Sequence, residues 1–190
     1  MKGRTFVALL AAFCCGLTLN VAAVPEREVL GVSMPEVISA DDRELRLNGL
    51  GVFKEKTFFK VYVVGLYLEK PTADARAVIT TDEAKRIVLV MLRDVSRDMF
   101  VQAVETSIMR NSGLAMPTLR ARLDLLEQAL PALKKGNILD FTYLPGAGTV
   151  VRGQGQQMTI QGKDFADALF SAWLGSKPVN AALKRKLLGA

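Results

Sequence analysis

The sequence predicts an α+β fold, one open-faced antiparallel β-sheet with a layer of α-helices on one face. Three observations predict it. Two segments in the first half are apolar on nearly every position, as interior strands are. Two adjoining segments then carry apolar residues at helical spacing. A second group of short, alternating segments follows, separated by Gly-rich turns, and two more helical patterns come after it. Helices grouped between runs of antiparallel strands give this layered class.

The elements follow in order. Glu44 to Val52 places Leu45, Leu47 and Leu50 among polar residues and reads as a strand running into a Gly-containing turn. Thr57 to Leu68 is rich in aromatic and β-branched residues, a strand buried on both faces except near Lys60. Gly65 inside it marks a bulge or a close backbone approach, and Pro71 ends it. Ala73 to Ile79 is a short helix, and Arg86 to Leu92 a second buried strand.

Ser96 is a good N-cap for a helix carrying Phe100, Val101, Val104 and Ile108 on one side. Asn111-Ser112-Gly113 stops it. Pro117 suits the first turn of the next helix, whose face is Leu119, Leu123, Leu126, Leu130 and Leu133. That leucine stripe is core packing. Leu139, Phe141 and Tyr143 alternate as a strand, and the turns Pro145-Gly146-Ala147-Gly148 and Gly153-Gln154-Gly155 frame two more. Asp164 to Leu174 is a helix with Phe165, Leu169, Trp173 and Leu174 inward and Gly175 as its stop. Asn180 to Leu188 is the last helix.

The first residues read as a cleavable secretory signal. Lys2 and Arg4 form a basic start, and Thr5 to Leu17 holds no charge. Val21 and Ala23 fit the small-residue rule for cleavage, which places residues 1–23 in the leader and 24–190 in one domain. The apolar run from Phe6 to Leu17 is shorter than the roughly 20 residues of a spanning helix. No second stretch is long enough to cross, so no stable membrane span is expected after cleavage. Both cysteines, Cys14 and Cys15, lie in the leader, and the chain has no histidine. The mature domain therefore lacks disulfides, a thiolate nucleophile and the commonest metal ligands, and no cofactor or metal is expected. The localisation expected is periplasmic or secreted.

Net charge is +6 and not concentrated in a stripe, which argues against nucleic acid as a partner. Lys184-Arg185-Lys186 reads as the solvated face of an amphipathic helix. The Gly-rich stretches lead into strands, so they lack the helix N-terminus a phosphate loop needs. Asp41-Asp42 and Asp82-Glu83 lie in polar loops, and without histidine no serine triad can be built. Lys60, Tyr62 and Tyr67 in one strand and Arg93 at the end of another remain. A cation among apolar strands is costly to bury unpaired. Two readings stay open: it snorkels or joins a structural ion pair, or it anchors a ligand carboxylate at the mouth of an apolar cleft. Arg93 is the better anchor, because its planar fork grips a carboxylate bidentately.

Several segments together resemble the chalcone isomerase-like family, in its exported bacterial branch. They are Leu47-Asn48-Gly49-Leu50-Gly51, Phe58-Phe59-Lys60-Val61-Tyr62-Val63 with Gly65-Leu66-Tyr67-Leu68, Arg93-Asp94-Val95-Ser96, Tyr143-Leu144-Pro145-Gly146, and Ala172-Trp173-Leu174-Gly175 followed by Pro178. They run colinearly over about residues 40 to 189. The resemblance implies the chalcone isomerase fold, with a ligand cleft between sheet and helices. It also implies either a true isomerase or a non-catalytic relative that binds fatty acids. The isomerase's polar set does not carry over. Its arginine falls at Leu50 or Phe53, its threonines at Tyr62 and Ala172, its tyrosine at Phe100 and its asparagine near Ser107. The preorganised donors that an oxyanion-like transition state requires are thereby lost, so no catalytic residue is assigned.

The expectation is a non-catalytic protein binding a small apolar ligand or fatty acid. Its ligand-binding candidates are Arg93, Tyr62, Lys60, Phe100 and Ser107. The alternatives are an interaction protein of a periplasmic assembly, and an isomerase on another substrate.

Overall fold

The computed structural model describes residues 25–56, 58–111, 116–130 and 132–190. The leader expected over residues 1–23 lies outside these. Five strands come first: β1 (Glu26–Val29), β2 (Val32–Pro35), β3 (Val37–Ala40), β4 (Arg43–Glu55) and β5 (Phe59–Leu68). Then follow α1 (Ala75–Thr80), β6 (Lys85–Met91), α2 (Arg97–Asn111) and α3 (Met116–Ala129). The chain continues through β7 (Ile138–Leu144), β8 (Gly148–Gly153), β9 (Gln156–Ile160), α4 (Lys163–Leu174) and α5 (Ala181–Leu187).

Strands β3 to β9 form one seven-stranded sheet in simple sequence order, and every neighbouring pair is antiparallel. The helices cover one face, as the α+β reading expects. The larger core lies between them and the sheet, around Leu66, Leu89, Phe141, Phe165 and Trp173. Leu119, Leu123 and Leu126 of α3 are buried in it, and so are Leu130 and Leu133, but these two lie beyond the helix, which ends at Ala129, and Leu133 bridges to Val95 in extended backbone. The other face is covered in part by the β1–β2 hairpin, where Met34 packs with Leu45, Leu47, Val63 and Tyr67. These short N-terminal strands are absent from the sequence reading. Each spans four residues, too few for a period-2 pattern to stand out.

Local chemistry sets the helix ends. The Asp74 side chain accepts from the Arg76 and Ala77 amides and starts α1. Asn180 does the same for α5 through Leu183 N–H. At the end of α1, Lys85 reaches up from β6. Its buried ammonium donates to the carbonyls of Val78 and Ile79 at 2.7 Å and of Thr81 at 3.1 Å. It thereby caps carbonyls left open at the helix C-terminus.

Three glycines act differently from the sequence reading. Gly49 and Gly51 are not in a turn: β4 runs straight through them. A Cβ on Gly49 would lie 2.2 Å from the Lys186 carbonyl oxygen, and one on Gly51 2.7 Å from Leu183 Cδ1. The glycines are the seat on which α5 rests. Asn48 between them and Leu47 is an extra residue in the β4–β5 ladder. Its amide donates to Leu187 O at 2.7 Å and Thr72 O at 3.1 Å, and its oxygen accepts from Thr72 N–H. Gly175 ends α4 at φ −64, ψ −177, which is not left-handed. It is glycine for want of space, since a Cβ would meet Asn111 Oδ1 at 2.4 Å. Gly65 is a close approach, with Met34 Sδ 2.5 Å from where its Cβ would be.

Candidate functional site

A second register slip, between Phe53 and Lys54, leaves Val61 as an extra residue in β5. Such a bulge re-aims the side chains beside it. Val61 and Tyr62 are consecutive, yet both pack into the helix-side core and both line one cleft. Phe53 of β4, Arg93 after β6, and Met99 and Phe100 of α2 complete its wall. The enclosed space is about 220 Å³. A shallower lobe of about 360 Å³ continues along α2 past Ser107, Arg110 and Pro178, and the two lobes share Phe53, Met99, Ala103 and Val179.

Tyr62 forms the floor. Its ring stacks on Phe53 with centroids 4.8 Å apart and meets Phe100 edge-on at 6.4 Å. Its hydroxyl accepts a hydrogen bond from Trp173 Nε1 at 3.1 Å. The O–H itself donates to no acceptor among the described residues. Burial pushes the phenol well above its usual ionisation range, against a smaller opposing effect of the indole N–H. Tyr62 is therefore a neutral donor and not a base.

Arg93 stands at the rim. It is exposed, with its guanidinium 5.7 Å from the centre of the Phe59 ring. It has no carboxylate partner among the described residues. Asp94 beside it is occupied, accepting from the Lys135 amide at 2.9 Å and from Lys134 Nζ at 3.1 Å. These two hydrogen bonds, the amide's first, hold its carboxyl below the usual range.

The remaining candidates separate. Phe100 lines the inner lobe. Ser107 lines the outer one, but its hydroxyl is committed to the Ala172 carbonyl at 3.0 Å. Lys60 is exposed, opposite Lys54 in the β4–β5 ladder, and does not line the cleft. Of the two positions offered for the isomerase's arginine, Leu50 packs against the second core cluster and Phe53 lines the cleft; Tyr62, Phe100 and Ser107 line it as well, and Ala172 lies behind Ser107. Around the cleft they present rings, a methyl group and hydroxyls already engaged as acceptor or donor.

The sequence reading missed the roles of Phe53, Met99 and the Trp173 N–H. For α2 a signal existed. Met99, Ala103, Thr106 and Arg110 recur at spacings of four, three and four beside the buried stripe, and they line the outer lobe. For Tyr62 and Trp173, 111 residues apart, none did.

A wider valley of about 700 Å³ lies between α1, α4 and α5. Three of its charged groups are engaged, Asp164 by Arg122 at 2.6 Å, Asp167 by Lys163 at 2.8 Å, and Lys184 with the Gly175 carbonyl at 2.8 Å, while Arg76 stays exposed at its edge. What sets the smaller cleft apart is that an unpaired guanidinium, Arg93, stands at the rim of a wall of stacked aromatic rings that includes Tyr62. Among the described residues no three His, Cys, Asp or Glu side chains group as metal ligands, and no helix is long and apolar enough to cross a membrane.

Compared with known proteins, residues 26–189 match the model of the chalcone isomerase-like family. A fatty-acid binding protein of Arabidopsis thaliana has a similar solved structure. The TM-score is 0.69 at 17% identity, covering 86% of this chain and 96% of that one. No curated protein matches by sequence.

Proposed function

The chain belongs to the chalcone isomerase-like family, and on that premise we propose that it is an exported, non-catalytic binding protein of the bacterial branch. It holds a small apolar ligand with an anionic head, fatty-acid-like, in the cleft above Tyr62, and it works in the periplasm or as a secreted protein. The observation that carries this reading is Arg93, an unpaired guanidinium at the rim of an apolar cleft. It suits a carboxylate arriving from solvent, which it can grip bidentately. The Tyr62 O–H on the floor supplies a neutral donor. The plant neighbour named for fatty-acid binding supports the ligand class through the shared fold alone.

The inner lobe lies below the roughly 300–1,000 Å³ of common ligand pockets, at about 220 Å³. A short chain fits there, and a longer tail continues into the open lobe along α2. The narrow floor, stacked with Phe53, Tyr62 and Phe100, is also the observation that favours an interaction protein with no small ligand.

The test is displacement of a fluorescent fatty acid, together with native mass spectrometry of protein purified from the periplasm. Expected is a co-purifying amphiphile and competition by medium-chain carboxylates. A charge-assisted hydrogen bond is worth about 1.5–3 kcal/mol, so Arg93→Ala should weaken binding by roughly 10- to 100-fold. No co-purifying lipid and no displacement would overturn the reading in favour of the interaction protein. A chalcone cyclisation rate above background that vanishes in Arg93→Ala would overturn it in favour of the isomerase.

A further inference from the structure

The end of the β4–β5 hairpin, with the cleft rim beside it, carries exposed apolar and basic groups that the core does not use. Phe58 is 83% exposed, Met99 61% and Phe59 54%, the three most exposed large apolar side chains among the described residues. They belong to one region. Phe58 and Phe59 are adjacent, Arg93 lies over the Phe59 ring, and Arg93 and Met99 share the cleft rim. Leaving such rings in water is unfavourable, and a clustered patch marks a contact surface.

The charges around them are mostly positive. Lys54 and Lys60 face each other across the ladder, a like-charge pair that destabilises a hairpin on its own. Lys56 sits at the turn with φ +44. Arg93 adds a fourth cation. Glu55 is the one carboxylate between Lys54 and Lys60, and Asp94 is already held by Lys134 and the Lys135 amide. None of Lys54, Lys56, Lys60 and Arg93 has an ion-pair partner among the described residues. Exposed aromatic rings set among unpaired cations match one kind of surface, an apolar layer bounded by anionic head groups.

We propose that this hairpin end, with Phe58, Phe59 and Met99 entering the acyl boundary and Lys54, Lys56, Lys60 and Arg93 meeting the head groups, docks the protein on an anionic lipid bilayer. The docking is peripheral. It places the rim of the cleft at the membrane surface, and it does not depend on the cleft holding a ligand.

Co-flotation of the mature protein with vesicles tests it, using phosphatidylglycerol–phosphatidylcholine mixtures against pure phosphatidylcholine. The protein should float with the anionic vesicles, remain behind with the neutral ones, and be released by high salt. Each basic residue near such a surface contributes roughly fivefold to partitioning. Lys54→Glu/Lys56→Glu/Lys60→Glu should therefore lower it by about 100-fold or more, and Phe58→Ser/Phe59→Ser by at least tenfold. All five positions are exposed, so an unchanged urea midpoint is expected for both variants. Arg185→Glu/Lys186→Glu on α5, which rests on β4 at Gly49 and Gly51 and not on the hairpin's end, should bind as the parent does. Three results would overturn the proposal: no flotation with anionic vesicles, as for a tip that docks on a protein; equal flotation with neutral vesicles; or equal loss in the α5 variant, the mark of bulk charge alone.

Discussion

Gly49→Ala is the smallest change that should unseat a whole element. The new Cβ would lie 2.2 Å from the carbonyl oxygen of Lys186 and 2.4 Å from that of Leu187, well inside the 3.4 Å at which ordinary contact begins. Both obstacles are backbone, so no rotamer change relieves them, and α5 must retreat. Its anchors are Leu183 and Leu187, both buried, each worth about 1.5–3 kcal/mol. A gap of about 0.5–1 Å forfeits roughly a quarter to a half of each contact's attraction. The hydrogen bond from Asn48 to the Leu187 carbonyl stretches with it, about 0.5–1.5 kcal/mol more. Together these give a loss of about 1–4 kcal/mol, a substantial share of the roughly 5–15 kcal/mol that holds a domain folded. Urea unfolding followed by the fluorescence of the single tryptophan, Trp173, measures it. Limited trypsin digestion should show earlier cutting at Lys184-Arg185-Lys186. A loss under about 0.5 kcal/mol with unchanged digestion would refute the claim that Gly49 is the seat of α5.

Two further predictions concern pH. The chain has three tyrosines, all buried. Burial first raises each: Tyr67 to about 12, Tyr62 and Tyr143 further, with the Asp82 carboxylate adding to the effect at Tyr143. Absorbance at 295 nm should stay flat through the usual phenol range and rise only with alkaline unfolding; a reversible step near pH 10 in the folded protein would contradict it. Lys85 shifts the opposite way. Burial lowers it to about 8 against the smaller pull of Asp167, while the unfolded chain titrates near 10.4. Between those values the unfolded state holds a proton that the folded state has released, so stability should rise with pH from about 8 toward 10. Lys85→Met should remove that rise in urea midpoints; an unchanged slope would show that the three carbonyl acceptors keep the ammonium charged throughout.

What could be read from the sequence was whatever depends on near neighbours. The leucines of α3, the apolar run of β5 and the Asn180 start of α5 each declare themselves within one element, because burial on one face imposes a period. The layered class followed from their order. What could not be read depends on contacts between distant segments. Gly49 and Gly51 looked like a turn because glycine is common in turns, and only the approach of α5 explains them. Tyr62 was a candidate on residue type, but its bond to Trp173 and its stack on Phe53 arise from folding. Arg93 stood out as a cation at a strand end. Nothing local showed that Asp94 beside it would turn to Lys134 and leave it unpaired. Lys60, singled out on the same grounds, lies beyond the register slip at Val61 and falls outside the cleft.

The lock between β4 and α5 also orders events in time. The sheet pairs strands that follow one another along the chain, so hairpins can form early and at low entropic cost. The amide of Asn48 must wait for a carbonyl 139 residues further on. Until Leu187 arrives, the glycine stripe of β4 stays bare, with nothing on it to hold a premature collapse together. The seat of α5 is therefore completed by residues from both ends of the domain, and the helix can dock only once the last of them are in place.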